Sequence, residues 1–199
     1  MYEKIYKLIT DALVDEGFII ISQALPQALI ILLYNYSKNA TNYKKASISK
    51  NIGLHVDGTK RSDQILWLDE DGGVLSEFLA FTSGLQEYLN RSLYLGLSYY
   101  EGHFAIYEEG DFYEKHLDAF YGSKNRVLTT VLYLNEEWEA SNGGKLIMYN
   151  EEDKQIAEVL PSAGTLVIFL SDKFPHEVLP ATKKRYSIAG WFSLKKTIF

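Results

Sequence analysis

Tyr107-Glu-Glu-Gly110-Asp-Phe-Tyr113-Glu-Lys-His116-Leu-Asp118 closes on a histidine and an aspartate two residues apart. On a β-strand both side chains point to one face, because strand side chains alternate with period two. Imidazole and carboxylate on one face supply two of the three protein ligands of a two-histidine-one-carboxylate iron site. The third ligand must then be a histidine elsewhere in the chain.

Around this run the sequence is β-rich. After Leu95, short apolar segments recur at 97–107, 112–118, 126–134, 144–149, 156–160, 164–170, 174–179 and 185–194, with turn chemistry at Asn142-Gly143-Gly144 and Ser162-Ala163-Gly164 between them. Eight such strands predict a sandwich or jelly roll. Before Leu95 the pattern is helical. Ile5, Leu8, Ile9, Ala12 and Leu13 share a helical stripe over residues 2–16, which stops at Gly17. A second helix is expected from Ala28 to Lys38 and a third from Leu75 to Leu93, the last weakened in its middle by Gly84. Phe18-Ile-Ile-Ile21 reads as a strand buried on both faces. Helices first and strands second, without βαβ alternation, predict a mostly β fold with α: a double-stranded β-helix with N-terminal helices packed on one sheet. One domain is expected over 1–199, with helical support in 1–95 and the jelly-roll core in 96–195. Residues 40–73 form an excursion within the first part, with one strand at 64–68.

The chain is 47% apolar and 23% charged, with a net charge of −6 and no cysteine. That composition is globular, argues against a nucleic-acid backbone as principal partner, and excludes disulfides and thiolate metal sites. No signal peptide or membrane span is expected, which makes the cytoplasm the default location.

The candidate third ligand is His176, in Phe174-Pro175-His176-Glu177-Val178. Nine residues on stands Arg185, with Ser187 on the same strand face. An arginine fork binds a planar carboxylate through two parallel hydrogen bonds. These positions, with Tyr107, Gly110 and Tyr113, the segment from Arg126 through Tyr133 and Asn135 to Trp138, Gly143 to Leu146, and Trp191, make a joint pattern over roughly 60–195. It resembles the prolyl 4-hydroxylase-like branch of the iron(II)/2-oxoglutarate dioxygenases. Arg61-Ser-Asp63-Gln-Ile65-Leu-Trp67 is similar to a segment of the oxygen-sensing prolyl hydroxylases that act on hypoxia-inducible factor.

The resemblance implies Fe(II) held by His116, Asp118 and His176, and 2-oxoglutarate held by Arg185 and Tyr133. Thr129, Tyr107, Ser187 and Trp191 would line the same pocket. Dioxygen would be the oxidant and ascorbate an accessory reductant. Asp63, Trp67 and Arg126 would meet a protein or peptide substrate, with Asp63 pairing with Arg126. Because Arg126 has the wrong strand parity for the pocket wall, it belongs at the rim or after a bulge. By analogy with bacterial relatives, the target would be a translation elongation factor. Two other readings stay open: a hydroxylase of a free amino acid or other small molecule, and a non-catalytic jelly-roll module that senses a metal or a 2-oxoacid. Arg185 could also be a solvated charge beside Lys183 and Lys184. His55-Val-Asp57 repeats the His-x-Asp spacing but lacks a following Pro-His-Glu and reads as a loop. His103 reads as a surface or packing residue.

Overall fold

The computed structural model describes residues 2–46, 48–50, 53–55, 60–68, 73–119 and 125–195. Three α-helices, α1 (Glu3–Asp15), α2 (Gln27–Asn39) and α3 (Ser76–Leu93), lie in the first half. The strands are β1 (Phe18–Ile21), β2 (Lys44–Lys45), β3 (Ile48–Lys50), β4 (Gly53–His55), β5 (Gln64–Trp67), β6 (Tyr99–Tyr107), β7 (Tyr113–His116), β8 (Arg126–Tyr133), β9 (Leu146–Tyr149), β10 (Gln155–Val159), β11 (Leu166–Leu170), β12 (His176–Val178) and β13 (Arg185–Ser193). A seven-stranded antiparallel sheet runs β1-β11-β8-β13-β6-β5-β2 and faces a four-stranded one, β10-β9-β12-β7. All eight strands expected after Leu95 form within two residues of their expected ends.

Strand alternation divides the interior in two. Phe104, Ile106, Leu128, Leu132, Ile168, Ile188 and Phe192 face the helices. Ala105, Tyr107, Val131, Tyr133, Val167 and Phe169 face the small sheet, against Leu146, Met148 and Val178. Neighbouring positions on one strand therefore serve two cores, as expected of a sheet covered on both sides. The helices pack on the outer face of the large sheet.

Three local expectations need correction or sharpening. Phe18–Ile21 is the large sheet's edge strand and pairs only with β11, so Ile20 is 38% exposed and the strand is not buried on both faces. Gly84 does not break α3. Its missing Cβ leaves room for Tyr6, whose hydroxyl would lie 2.6 Å from that atom and which donates to the Phe81 carbonyl at 2.9 Å. Leu8, placed on the α1 stripe, is 51% exposed, and Tyr6 takes its place in the core.

The excursion holds more structure than one strand. Its segment Lys60–Ser62 lies against β7 of the small sheet, through Glu114 N–H to Lys60 O (2.8 Å), Ser62 N–H to Phe112 O (3.2 Å) and an Arg61–Tyr113 bridge. Past Asp63 the chain changes sheets: β5 pairs with β6, Trp67 opposite His103. This crossing closes one edge of the sandwich. Among the described residues no helix is long and apolar enough to cross a membrane.

Candidate functional site

His116 and His176 are cross-strand partners on β7 and β12. β7 ends at His116, so Asp118 reaches the site from just beyond the strand rather than by strand alternation. Its carboxylate lies 3.7 Å from His116 Nε2 and 3.5 Å from His176 Nε2, and the three potential ligand atoms lie within 4.8 Å of one another. Each imidazole turns its Nδ1 to a backbone carbonyl, His116 to Glu114 O (2.7 Å) and His176 to Phe174 O (3.0 Å). With Nδ1–H donating there, Nε2 carries the free lone pair that a metal needs. The Thr129 hydroxyl donates to Asp118 Oδ2 at 2.8 Å and meets Ser171 Oγ at 2.9 Å.

Electrostatics favour the ligand forms. Burial lowers the His116 pKa, and the neighbouring His176 lowers it further, so the ring is neutral. Burial alone would raise Asp118, but His176, His116 and Arg126 outweigh it and hold the carboxyl below its ordinary value. Two imidazoles and one carboxylate suit a divalent first-row metal and leave positions open to other ligands.

Along the same face of the large sheet stands Arg185, only 1% exposed, which excludes a solvated charge beside Lys183 and Lys184. Its Nε donates to Gly144 O (3.0 Å) and its Nη1 reaches Ser187 Oγ (3.4 Å). The guanidinium carbon lies 4.8 Å from the Tyr107 ring centre and 5.0 Å from that of Tyr133. Among the described residues no carboxylate lies within ion-pair distance of it. The Tyr133 hydroxyl is buried and makes no hydrogen bond of good geometry, although the Arg185 guanidinium is near enough to donate weakly to it. A buried cation with free donors beside a poorly satisfied hydroxyl is costly unless an anion joins them. Gly144, at φ +67°, makes room here: a Cβ would sit 2.9 Å from Ala181 Cβ and 3.2 Å from Arg185 Cδ.

Thr129, expected to line the 2-oxoacid pocket, donates its hydroxyl to Asp118. Arg126 does not meet Asp63. The β13–β8 register shifts between Phe192 and Ser193, the bulge turns Arg126 onto the Trp191 ring at 3.7 Å, and its guanidinium bonds Glu101 at 2.9 Å. Asp63, 1% exposed, takes both arms of Arg61 at 2.7 Å. Trp67 is 43% exposed and packs edge-on to His103, which also contacts Trp191. His103 is thus a buried packing residue, 3% exposed. His55 lies on β4 rather than in a loop, and Asp57 lies outside the described residues. Sequence reasoning missed Ser171, Glu101 and Arg61 as contributors. Of these only Arg61 carried a signal, as the first residue of the Arg-x-Asp-x-Ile-x-Trp segment.

Residues 102–193 match the sequence profile of the 2OG-Fe(II) oxygenase superfamily. The chain is 40% identical to the hypoxia-inducible factor prolyl hydroxylase of Caenorhabditis elegans over 91 residues, 44% of this chain and 12% of that protein. It is 34% identical to human prolyl hydroxylase EGLN3 over 145 residues, 66% of this chain and 58% of that one. The chain thus spans less than two thirds of these relatives. A Pseudomonas putida prolyl-4-hydroxylase superimposes with a TM-score of 0.86 at 36% identity, covering 96% of this chain and all of the other. A Trichoplax adhaerens prolyl hydroxylase, solved with a peptide of the hypoxia-inducible factor oxygen degradation domain, gives 0.80 at 26% identity, covering 96% and 90%.

Proposed function

Because the chain belongs to the 2OG-Fe(II) oxygenase superfamily, we propose that it is an Fe(II)- and 2-oxoglutarate-dependent hydroxylase of prolyl residues in a protein or peptide substrate. The observation that carries this reading is Arg185: a buried cation with no acidic partner among the described residues, on the sheet face that also holds Asp118 through Thr129. In the proposed reaction dioxygen and 2-oxoglutarate convert a substrate C–H to C–OH and yield succinate and carbon dioxide. Iron bound with 2-oxoglutarate supplies the oxygen-activating chemistry.

The chain's residues bind and orient. His116, Asp118 and His176 hold the metal. Arg185, Ser187 and Tyr133 take the distal carboxylate of the 2-oxoacid, and the Tyr107 ring closes that end of the pocket. Trp191 with Arg126, and Trp67 with the Asp63 segment, face the substrate. The proposed setting is the cytoplasm, with ascorbate as accessory reductant and a translation elongation factor as the first target to examine. No observation favours a free amino acid substrate or a non-catalytic sensor over this reading.

Anaerobic addition of Fe(II) and then 2-oxoglutarate should produce a visible charge-transfer band, absent in His176→Ala. Arg185→Ala should keep the metal but weaken 2-oxoglutarate about 100-fold, the effect of truncating one side of a buried charge pair at about 3 kcal/mol. In air, a panel of proline-containing peptides, elongation-factor sequences included, should yield a product heavier by one oxygen atom on proline. Absence of the band in the intact protein would overturn the cofactor assignment. Oxygen incorporation into a free amino acid, with none in peptides, would overturn the substrate class.

A further inference from the structure

One column of side chains joins the excursion to a metal ligand. Asp63, its side chain fully buried, grips both arms of Arg61 at 2.7 Å. The Arg61 guanidinium carbon lies 4.3 Å from the centre of the Tyr113 ring. Tyr113 in turn stacks on the His116 imidazole, with centroids 3.6 Å apart and planes 16° from parallel. Tyr113 and His116 are three residues apart on β7 and would face opposite ways on a regular strand. The β12–β7 ladder shifts register between His176 and Val178, and this irregularity brings both rings to one face. Backbone bonds from Glu114 to Lys60 and from Ser62 to Phe112 clamp the base of the column. Burial opposes the charge on Arg61, but Asp63 outweighs that effect and raises its pKa, so the cation over Tyr113 is permanent.

We propose that Arg61 and Tyr113 are positioning residues for the metal, holding His116 in its ligating orientation. Through them metal binding and the ordering of Lys60–Trp67 are a single coupled event. The inference rests on the reading of His116 as a ligand and goes beyond it. Nδ1 of His116 is fixed by the Glu114 carbonyl, but that bond leaves the ring free to tilt about its hydrogen-bond axis. His176 has less freedom, being 5% exposed with Phe169 edge-on at 4.9 Å. His116 is half-buried, with the His176 ring tilted against it at 4.3 Å and the Tyr113 ring parallel to it, and that parallel face defines its plane. A planar cation over the far face of Tyr113 fixes that ring in turn. The excursion, expected to cover substrate, thereby acquires a second task at the iron.

Cobalt(II) alone, added to the full chain without 2-oxoglutarate, tests this through its visible d–d spectrum. Tyr113→Leu and Arg61→Ala should each weaken Co(II) binding about tenfold, the usual scale for groups that orient a ligand. Tyr113→Phe keeps the ring and should bind as the intact protein does, and Arg61→Lys should recover only part of the loss. The double variant Arg61→Ala/Tyr113→Leu should be no worse than Tyr113→Leu. In the intact protein Co(II) should slow hydrogen exchange at the Ser62 and Glu114 amides, and in Arg61→Ala it should not. Equal affinity in all variants, equal losses in Tyr113→Phe and Tyr113→Leu, or additive losses in the double variant would each overturn the proposal while leaving the ligand assignment intact. Failure of the intact protein to bind Co(II) would overturn both. If Tyr113→Leu does not fold, the Arg61 pair and Tyr113→Phe still decide the matter.

Discussion

His103 shows how burial, aided by nearby cations, sets the state of a side chain. Enclosed by Trp67 and Trp191, its pKa is pushed down to about 3, first by loss of water and then by Arg61 and Arg126. Between about pH 3 and its ordinary value, the unfolded chain therefore carries a proton that the folded one refuses. Stability must fall as pH falls through that window, by up to about 1.4 kcal/mol per pH unit. His103→Phe should remove this contribution, so that denaturant unfolding at about pH 7 and about pH 5 differs by about 2 kcal/mol less than in the intact protein. His116 acts in the same direction in the metal-free chain and cancels in the comparison. Equal slopes would show that His103 takes up a proton in place. At this scale the candidate metal ligands and Arg185 were legible in sequence, because spacing, residue type and the family resemblance point to the same chemistry. Thr129 was legible as a residue of the site but not in its task. That its hydroxyl meets Asp118 follows from where the chain turns after His116.

Helices and strands were easier to place than their weak points were to interpret. Gly84 is the clearest case. By propensity alone, Gly84→Ala should stabilise α3 by about 1 kcal/mol. The new Cβ would instead lie 2.6 Å from the Tyr6 hydroxyl, in a core where Tyr6 is 9% exposed and bonded to the Phe81 carbonyl. Thermal unfolding should show a net loss of about 1–3 kcal/mol, the usual penalty for overpacking. In a Tyr6→Phe background, which removes the colliding oxygen, the same change should cost less or turn favourable. An equal cost in both backgrounds would place the strain elsewhere. β1 teaches the same lesson from the other side. Four apolar residues in a row read as a central strand, yet only pairing decides which strand forms the edge.

For the molecule as a whole, the site is a seam between two sheets, and ligands that bind only the folded form must stabilise it. Fe(II) and then 2-oxoglutarate, at about 100 times their dissociation constants, should each add about 2.7 kcal/mol. In a chain of 199 residues that amounts to roughly 5–10 °C in Tm for each ligand, measured anaerobically and reversed by a chelator. No shift with both present would mean that the seam does not hold them. The strand succession after Leu95, the helices before it and the residue types of the candidate site can be read from the chain without its fold. Period-two alternation, helical periodicity and ligand spacing are local properties that survive without knowledge of neighbours. The partners emerge only from the folded arrangement: Arg61 for Asp63, Glu101 for Arg126, Thr129 for Asp118, and Tyr113 stacked on His116. Those depend on ladder register, on two bulges, and on the point where the excursion crosses from one sheet to the other. A shift of one residue in any of these turns a side chain to the opposite face, and no pattern within a single strand records it.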